Sequence, residues 1–510
     1  MTINYSDIFK SSVLLLALGL SSCDKFLDER PNKTSSLEVT TVSQLDALLN
    51  NFISFYNEGN RTAIHSTDDY GLTVDLYNAR PGTFTLAAVE FATWDKDYLP
   101  DDTREGFWSG EYRKIFTANM ALSLLETVSG TAEEKAIVKA DAHFVRAYSY
   151  FQLACTYCLP YTDANKTEAG LPIKVSTSFE EPLARQPLET VYNLIEADLA
   201  EALKTTQPLM QDGRPRHWRA SKAGVNAFAA RYYLTRNNYA EALKHANASL
   251  GEYSTLVDYN TEMRYGRPAN ITINAGTPES QTVTLEYPYT HDNQSDQTDM
   301  IGWKEFLYYR MLSHESWWYI PSQALLDLYD KDHDLRYRYH MVEGYSYDRG
   351  MTKPAYDYPG YVFFYKDRLP SGPTVAEMLL VKAECLARTN KPGEAMTVLN
   401  QLRAKRMEAG PWVDLAAANM DDAIAKVLQE RRRELPFTQR WTDIRRFNNN
   451  DYPADDVELS RDFYPYNFSA VQSSEPVKTY TLPKNSRRFA APVPRTEMIA
   501  SNDEITQNTY

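Results

Sequence analysis

Hydrophobic positions recur at helical spacing in several separate blocks of this chain. In three blocks a small residue is followed three positions later by a bulky one, within a run that has the period of an α-helix. The three pairs are Ala147 with Tyr150, Ala230 with Tyr233, and Ala383 with Leu386. Because a small side chain lets a second helix approach closely, the spacing predicts helices that pack against one another.

Two of the blocks continue with the spacing of a tetratricopeptide repeat. A further alanine stands twelve positions later in each block, at Ala242 and Ala395, and an apolar residue follows four positions after it. Polar, Gly and Pro residues at 236–239 and 389–393 predict the turns inside each helix pair. We therefore predict two tetratricopeptide-type helix pairs.

Two further helical runs are less regular. The block around Ala147 is followed by a loop at 159–187 and then by an amphipathic run at 188–203. A last helix pair is predicted at 421–435 and 440–447. Together these runs predict a mostly α fold.

Long irregular segments interrupt the helical pattern. The two tetratricopeptide pairs stand 153 positions apart (Ala230 to Ala383), far beyond the repeat period of about 34 residues. Short alternating runs at 281–287 and 361–365 predict a few strands in the intervening insertion. The predicted arrangement is a single domain, 23–510, with a helical scaffold over about 104–250 and 375–447 and irregular segments at about 56–103, 251–374 and 448–510. Binding residues collect on such loops when a rigid frame holds them.

Charge and motif content exclude several functions. The net charge is -14 and the pI is near 5.2, whereas binding to nucleic acid needs a basic surface. The sequence contains no G-x-S-x-G, H-E-x-x-H or Gly-rich phosphate loop, so we expect neither an enzyme nor a cofactor. Acidic stretches at 95–102 and 327–334 lack the ordered ligand spacing of an EF-hand, and we predict no metal site.

A block of adjacent charged residues at 430–433 has two interpretations. Side-by-side carboxylates and guanidinium groups suit a catalytic or phosphate site, but Glu and Arg at helical spacing also form ion pairs along and between helices. We favour ion pairs, and we expect Asp443 to pair with Arg440 and Arg445.

Three cysteines follow the N-terminal region, Cys155, Cys158 and Cys385, and an odd number excludes a complete disulfide framework. Cys155 and Cys158 form a C-x-x-C, but the motif falls inside a helical pattern without a preceding strand. Packed thiols are therefore favoured over redox chemistry.

The first residues resemble a bacterial lipoprotein signal. A basic residue, Lys10, precedes an apolar run from Val13 to Leu20 that is too short to span a bilayer, and small residues lead from it to Cys23. The resemblance implies that residues 1–22 are a cleaved signal peptide. It also implies that acylated Cys23 anchors the mature protein, which would then contact the membrane through lipid alone.

Sequence blocks along nearly the whole chain resemble the SusD/RagB family of outer-membrane lipoproteins. They lie at 23–31, 107–119, 146–160, 325–336, 377–403 and 430–446, with Pro494, Glu497, Gln507 and Asn508 in the tail. The block at 430–446 is the most specific, with its Glu-Arg-Arg-Arg-Glu-Leu run. Thr509 stands where the family often has Pro.

This resemblance implies a SusD-like fold and a surface protein that captures nutrient for a SusC-like TonB-dependent β-barrel transporter in the outer membrane. In the family, the tetratricopeptide helices form the scaffold and the irregular segments form the ligand surface. The expected ligand is a glycan. Two alternatives stay open: a peptide, as in the RagB branch, and a helical scaffold that binds only a protein.

Aromatic residues in the irregular segments are the candidate ligand contacts, because sugar rings stack on such faces. The candidates are Tyr70, Tyr77, Trp94, Trp303, Tyr308 and Tyr309, with Arg80 and Arg310 beside them as hydrogen-bond donors. Each of them could instead pack a loop against the scaffold.

Overall fold

The computed structural model describes most of the chain after the N-terminal region. The described residues are 38–96, 106–265, 269–273, 276–278, 280–285, 288–289, 300–314, 319–342, 358–364 and 367–510. The predicted signal peptide and Cys23 lie outside them. No helix in these ranges combines the length and the apolar character that crossing a bilayer requires.

Helices dominate the described residues, as the sequence predicted. In chain order they are α1 (Val42–Leu49), α2 (Arg61–His65), α3 (Val74–Ala79), α4 (Leu86–Thr93), α5 (Gly106–Leu124), α6 (Ala132–Tyr157), α7 (Leu188–Ala202), α8 (Lys222–Thr235), α9 (Tyr239–Glu252), α10 (Gln323–Leu326), α11 (Leu335–His340), α12 (Val375–Arg388), α13 (Pro392–Arg403), α14 (Met420–Glu434), α15 (Arg440–Phe447) and α16 (Arg495–Ala500). The predicted runs at 188–203, 421–435 and 440–447 correspond to α7, α14 and α15.

The strands are short. They are β1 (Asn57–Glu58), β2 (Met210–Gln211), β3 (Arg214–Pro215), β4 (Arg264–Tyr265), β5 (Ala269–Ile273), β6 (Gln281–Leu285), β7 (Pro288–Tyr289), β8 (Met311–Ser313), β9 (Met341–Val342), β10 (Gly360–Tyr361), β11 (Arg368–Pro370), β12 (Leu459–Phe463) and β13 (Lys478–Leu482). β8 pairs with β1 in parallel and with β11 antiparallel, and the other described pairs are antiparallel hairpins or ribbons. The strand predicted at 281–287 is confirmed over Gln281–Leu285, which form β6. In the second predicted run, only Tyr361 of the described residues 361–364 belongs to a strand.

The helices from α5 to α9 and from α12 to α15 form the helical scaffold. α5 packs on α6, α6 on α7, α8 on α9, and α12 on both α13 and α14. α9 also packs directly on α12, although residues 253–374 lie between them in the sequence. The insertion therefore interrupts the repeat in sequence but not in space.

Caps and turns explain where the paired helices begin and end. Ser221 and Thr374 cap α8 and α12, each accepting a backbone N–H on its side-chain oxygen. Asn237 and Asn390 follow the same two helices with φ values of 54° and 60°. Asn tolerates this left-handed conformation, which ends a helix and turns the chain back. Both asparagines lie in the turns that the sequence predicted.

The irregular segments share one hydrophobic core and form what we call the irregular body. Val89, Phe306 and Phe463 come from the three different segments, and all three are fully buried in this core. Irregular backbone therefore coexists here with a packed interior.

Buried ion pairs join the irregular body to the scaffold. Glu430 of α14 pairs with Arg336 of α11 at 2.7 Å, and Arg406 pairs with Glu305 at 2.7 Å. The charged block at 430–433 thus forms ion pairs, as the sequence favoured.

The expected partners of Asp443 were wrong. Its carboxylate accepts hydrogen bonds from Arg431 at 2.7 Å and from Arg446 at 2.9 Å. Arg440 instead pairs with Asp68, and Arg445 donates to the carbonyl groups of two loops. Arg446 lies three residues after Asp443 on the same helix. Spacing along that helix could not reveal Arg431, Asp68 or the two carbonyl groups, because they lie on other segments.

Candidate functional site

An aromatic surface lies where α3 meets the β12–β13 hairpin of the irregular body. We call its four members, Tyr77, Tyr464, Tyr466 and Tyr480, the tyrosine face. The ring of Tyr77 meets Tyr464 edge-on with centroids 6.0 Å apart, and Tyr466 stacks on Tyr480 at the same distance. Tyr480 is buried, while the other three rings are partly exposed.

Local sequence fixes this geometry. Thr73 caps α3, its hydroxyl oxygen accepting a backbone N–H at 3.2 Å, and so sets the start of the helix that carries Tyr77. β12 and β13 pair antiparallel with Arg461 opposite Tyr480. Side chains alternate along a strand, so Phe463 and Tyr480 both point into the core.

Hydrogen bonds orient the exposed rings. Asn78 donates from Nδ2 to the Tyr464 hydroxyl at 3.1 Å, and the Tyr466 hydroxyl lies 2.6 Å from that of Thr93. Burial raises the pKa of Tyr77 and of Tyr466. These hydroxyls therefore stay neutral at physiological pH and can both donate and accept hydrogen bonds.

A turn next to the tyrosine face presents Phe468 to solvent. The side-chain oxygen of Asn467 accepts the backbone N–H groups of Ser469 and Ala470 at 2.9 and 3.0 Å. This turn holds the backbone at the residue that carries the ring. Phe468 is 93% exposed.

Charged side chains border the tyrosine face. Lys96 lies 4.8 Å above the ring of Tyr466, and Lys478 lies 4.5 Å above that of Tyr480. Lys478 also pairs with Asp95 at 3.4 Å. The border thus supplies hydrogen-bond donors from the lysines and a hydrogen-bond acceptor from the aspartate.

The arrangement suits a polyhydroxylated ligand. Ring faces offer apolar contact to a flat sugar ring, and neighbouring amide, hydroxyl and charged groups can hydrogen-bond its hydroxyls. Within the described ranges, no group of three or more His, Cys, Asp or Glu side chains is placed to hold a metal ion.

Two sequence candidates lie at or beside this surface. Tyr77 belongs to the tyrosine face. Trp94 ends α4 beside it, but its ring is mostly buried and its indole N–H donates to the Ser66 carbonyl oxygen at 3.0 Å. Trp94 therefore offers little surface to a ligand.

Four candidates from the insertion lie instead in the protein interior. They are Trp303, Tyr308, Tyr309 and Arg310. Tyr308 packs against Phe144 of α6 with ring centroids 4.4 Å apart, and the guanidinium of Arg310 lies 4.8 Å from the ring of Tyr148 on the same helix. These four side chains are core residues and not ligand contacts.

The remaining two candidates are also buried. The ring of Tyr70 meets His65 edge-on at 4.6 Å, and Arg80 is 4% exposed after the end of α3. Tyr70, Trp303 and Tyr309 fill the core of the irregular body, whereas Tyr308 belongs to the core of the scaffold. Aromatic side chains of irregular segments are buried here because they fill these two cores.

Sequence reasoning missed Tyr464, Tyr466 and Phe468. A signal was present, since aromatic residues alternate with Pro465 and Asn467 in this run. Alternation with turn-forming residues places aromatic rings on an exposed loop rather than in a core.

Comparisons with known proteins agree with this architecture. A family model described as "Starch-binding associating with outer membrane" matches residues 25–234, and a model of the SusD family matches residues 375–510. SusD-like protein P2 of Formosa agariphila is 26% identical over 403 residues, which cover 70% of this chain and 76% of that protein.

Solved structures have the same fold. A SusD superfamily protein from Bacteroides thetaiotaomicron matches with a TM-score of 0.62 at 16% identity, covering 92% of this chain and 100% of that one. Surface glycan-binding protein A from Bacteroides uniformis matches with a TM-score of 0.58 at 15% identity, covering 92% and 98%. The resemblance predicted from the sequence is confirmed, and the chain belongs to the SusD family.

Proposed function

We propose that this chain is a cell-surface lipoprotein that captures glycan and delivers it to a SusC-like TonB-dependent transporter. The observation that carries the proposal is the tyrosine face with Phe468 beside it. The Phe468 ring is held on a hydrogen-bonded turn beside partly exposed tyrosines. Exposing this apolar ring to water is unfavourable and does not stabilise the fold, whereas a stacked ligand would cover it. The protein acts by binding, without catalysis.

The similar proteins support this class of ligand. The matched family model is described as starch-binding, and the similar protein from Bacteroides uniformis is described as a surface glycan-binding protein. The matched model is also described as associating with the outer membrane. Acylated Cys23 would supply the anchor there, with the protein facing the cell exterior.

Calorimetric titration of the protein against a panel of polysaccharides and a mixed peptide pool tests the ligand class. Binding to a glycan is expected. Binding to peptides alone would instead identify the RagB-like alternative. If none of the ligands binds, the result contradicts the proposal for the isolated protein.

A matched pair of variants then tests the surface. Phe468→Ala should weaken glycan binding about tenfold, because it removes one stacking face. Phe179→Ala is the control: Phe179 is 88% exposed but lies on the scaffold side, stacked on Phe116 of α5. Equal affinities for the two variants would exclude the tyrosine face as the site.

The anchor and the transporter need separate experiments. Cells labelled with a palmitate analogue should show label on the wild-type protein and none on Cys23→Ser. Affinity purification of the wild-type protein from outer membranes should recover a TonB-dependent barrel. Unchanged labelling of the variant, or the absence of a barrel, would contradict the corresponding part of the proposal.

A further inference from the structure

A cavity lies in the helical scaffold, away from the tyrosine face. It has a volume of about 430 Å³ and is lined by the ends of α6 to α8 and by residues of α14 and α15 with the loop that follows. None of the described residues within 56–103 and 251–374 lines it. We call it the helix-end cavity. Its volume falls within the range of about 300–1,000 Å³ that is typical of small-molecule sites.

Aromatic rings and a guanidinium form one wall of the cavity. The rings of Tyr161 and Tyr192 lie 4.5 Å apart between centroids. The guanidinium of Arg236 lies 3.9 Å from the ring of Tyr161 and 5.2 Å from that of Tyr192. This stacking pre-positions a planar cation beside the cavity.

Tyr192 brings a hydroxyl group to the cavity. The residue is 3% exposed, and its side chain forms part of the cavity lining. A tyrosine hydroxyl can donate a hydrogen bond to a ligand and accept one from it.

Arg445 is the main sign that the cavity receives a ligand. Its guanidinium is buried and lines the same cavity. It donates to the carbonyl oxygens of Phe489 and Cys158, which engage two of its five N–H donors. No carboxylate of the described residues forms an ion pair with it.

The neighbouring arginines contrast with Arg445. Arg446 pairs with Glu384 and Asp443, and Arg388 pairs with Glu384 and with Asp455. Their charges are therefore balanced within the protein. Burial lowers the pKa of Arg445, as expected for a cation that lacks a counter-ion.

The carboxylates at the rim of the cavity indicate which other groups the ligand carries. Asp163 and Asp451 lie there, and both are exposed to solvent. Exposed carboxylates are screened from an anion deeper in the cavity, but they accept hydrogen bonds from hydroxyl groups. Aromatic wall, hydroxyl acceptors and an unbalanced buried cation together fit a sugar that bears a carboxylate.

We propose that the helix-end cavity is a second ligand site, which binds an acidic sugar of one or two rings with its carboxylate toward Arg445. This site goes beyond the glycan capture proposed for the tyrosine face. A planar carboxylate matches the planar guanidinium better than a spherical anion does.

Titration of the full chain with D-glucuronate, D-glucose and sodium sulfate tests the proposal. Glucuronate should bind with a Kd of about 1 mM, as expected for a ligand of its size. Glucose and sulfate should each bind at least tenfold more weakly, because one lacks the charge and the other lacks the ring. Equal affinity for glucuronate and glucose, or no binding of glucuronate, would overturn the proposal.

Variants locate the site without removing Arg445, whose loss could unfold the protein. Tyr161→Ala should weaken glucuronate binding about tenfold and Tyr192→Phe about threefold, while Tyr77→Ala and Phe468→Ala should leave it unchanged. Loss of glucuronate binding in Phe468→Ala but not in Tyr161→Ala would place the acidic sugar on the tyrosine face and overturn the proposal. Binding of glucuronate with no binding of larger glycans would contradict the proposed function and leave this site standing.

Discussion

Arg440 holds Asp68 in a two-point ion pair that joins the scaffold to the irregular body. Nε and Nη2 of the arginine lie 2.7 and 2.8 Å from the two carboxylate oxygens, across 372 positions of sequence. Arg432 approaches the same carboxylate at 3.1 Å. Two parallel N–H bonds to one carboxylate fix both position and orientation, so this contact sets how the segment after α2 meets α15.

The ion pair between Arg440 and Asp68 predicts that the folded protein loses stability in acid. Burial by itself would raise the pKa of Asp68, but the charge and hydrogen bonds of Arg440, with the charge of Arg432, hold it at about 2 instead of 3.8. A depressed folded-state pKa adds stability above the unfolded pKa, and this contribution is lost as the pH falls from about 4 to 2. The pH-dependent part amounts to about 2 kcal/mol.

Asp68→Asn removes this titration. Urea unfolding of wild type and variant at several pH values between 2 and 7 should show the variant losing less stability on acidification. Arg440→Gln should flatten the same part of the profile. A variant profile parallel to that of the wild type would show that Asp68 is not the titrating group.

Replacing Glu430 should lower the free energy of unfolding by more than acidification of Asp68 does, and at constant pH. Its buried carboxylate pairs with Arg336 at 2.7 Å, Arg403 at 3.0 Å and Arg433 at 2.6 Å. Glu430→Gln leaves three cations without their shared counter-ion, and breaking a buried pair typically costs about 3–5 kcal/mol. Urea unfolding should show this loss.

Glu201 provides the matched control. It pairs with Lys139 and Lys204 at the surface of α7, and exposed pairs contribute at most about 1 kcal/mol. Glu201→Gln should therefore change stability little. Equal losses in the two variants would mean that burial does not distinguish these ion pairs.

The helical scaffold was predictable from the sequence because its determinants are local. Ala230 and Ala242 lie on facing helices of one pair, and Asn237 ends the first of them, so spacing and turn chemistry sufficed. The contact of α9 with α12 was not predictable, because it depends on a chain that leaves the scaffold at 253 and returns at 374.

The candidate site was predicted less well, for a physical reason. Tyr77 and Tyr308 look alike in sequence, since each lies in a segment without helical periodicity. One ring is partly exposed and the other packs on Phe144. An aromatic residue can fill a core or cover a surface, and only the three-dimensional neighbours decide which.

The cysteines of the C-x-x-C motif are expected to be inert. Burial raises the pKa of Cys158, and it raises that of Cys155 to about 12 although the charge of Arg445 opposes the change. Both thiols are free and buried. A thiol reagent at pH 8 should label neither in the folded protein and both after unfolding in guanidinium. Rapid labelling of the folded protein, or a disulfide between them, would contradict this assignment.

Gly372 marks the closest approach between two parts of the insertion. Its N–H donates to the Arg310 carbonyl oxygen at 3.1 Å, and the Pro373 carbonyl oxygen accepts the N–H of Leu307 at 2.9 Å. A Cβ at position 372 would overlap the carbonyl oxygen of Tyr308 and lie 3.0 Å from the Arg310 nitrogen. Because both neighbours are backbone atoms, they cannot rotate away.

Gly372→Ala should therefore lower the free energy of unfolding by about 1–3 kcal/mol. Gly393, near the start of α13, is the control, since a Cβ there would meet nothing within 4 Å. Gly393→Ala should be neutral or should stabilise by up to about 1 kcal/mol, because alanine restricts the unfolded chain. Thermal unfolding of both variants decides the matter. A Gly372→Ala protein as stable as Gly393→Ala would mean that the two segments of the insertion are not packed this closely.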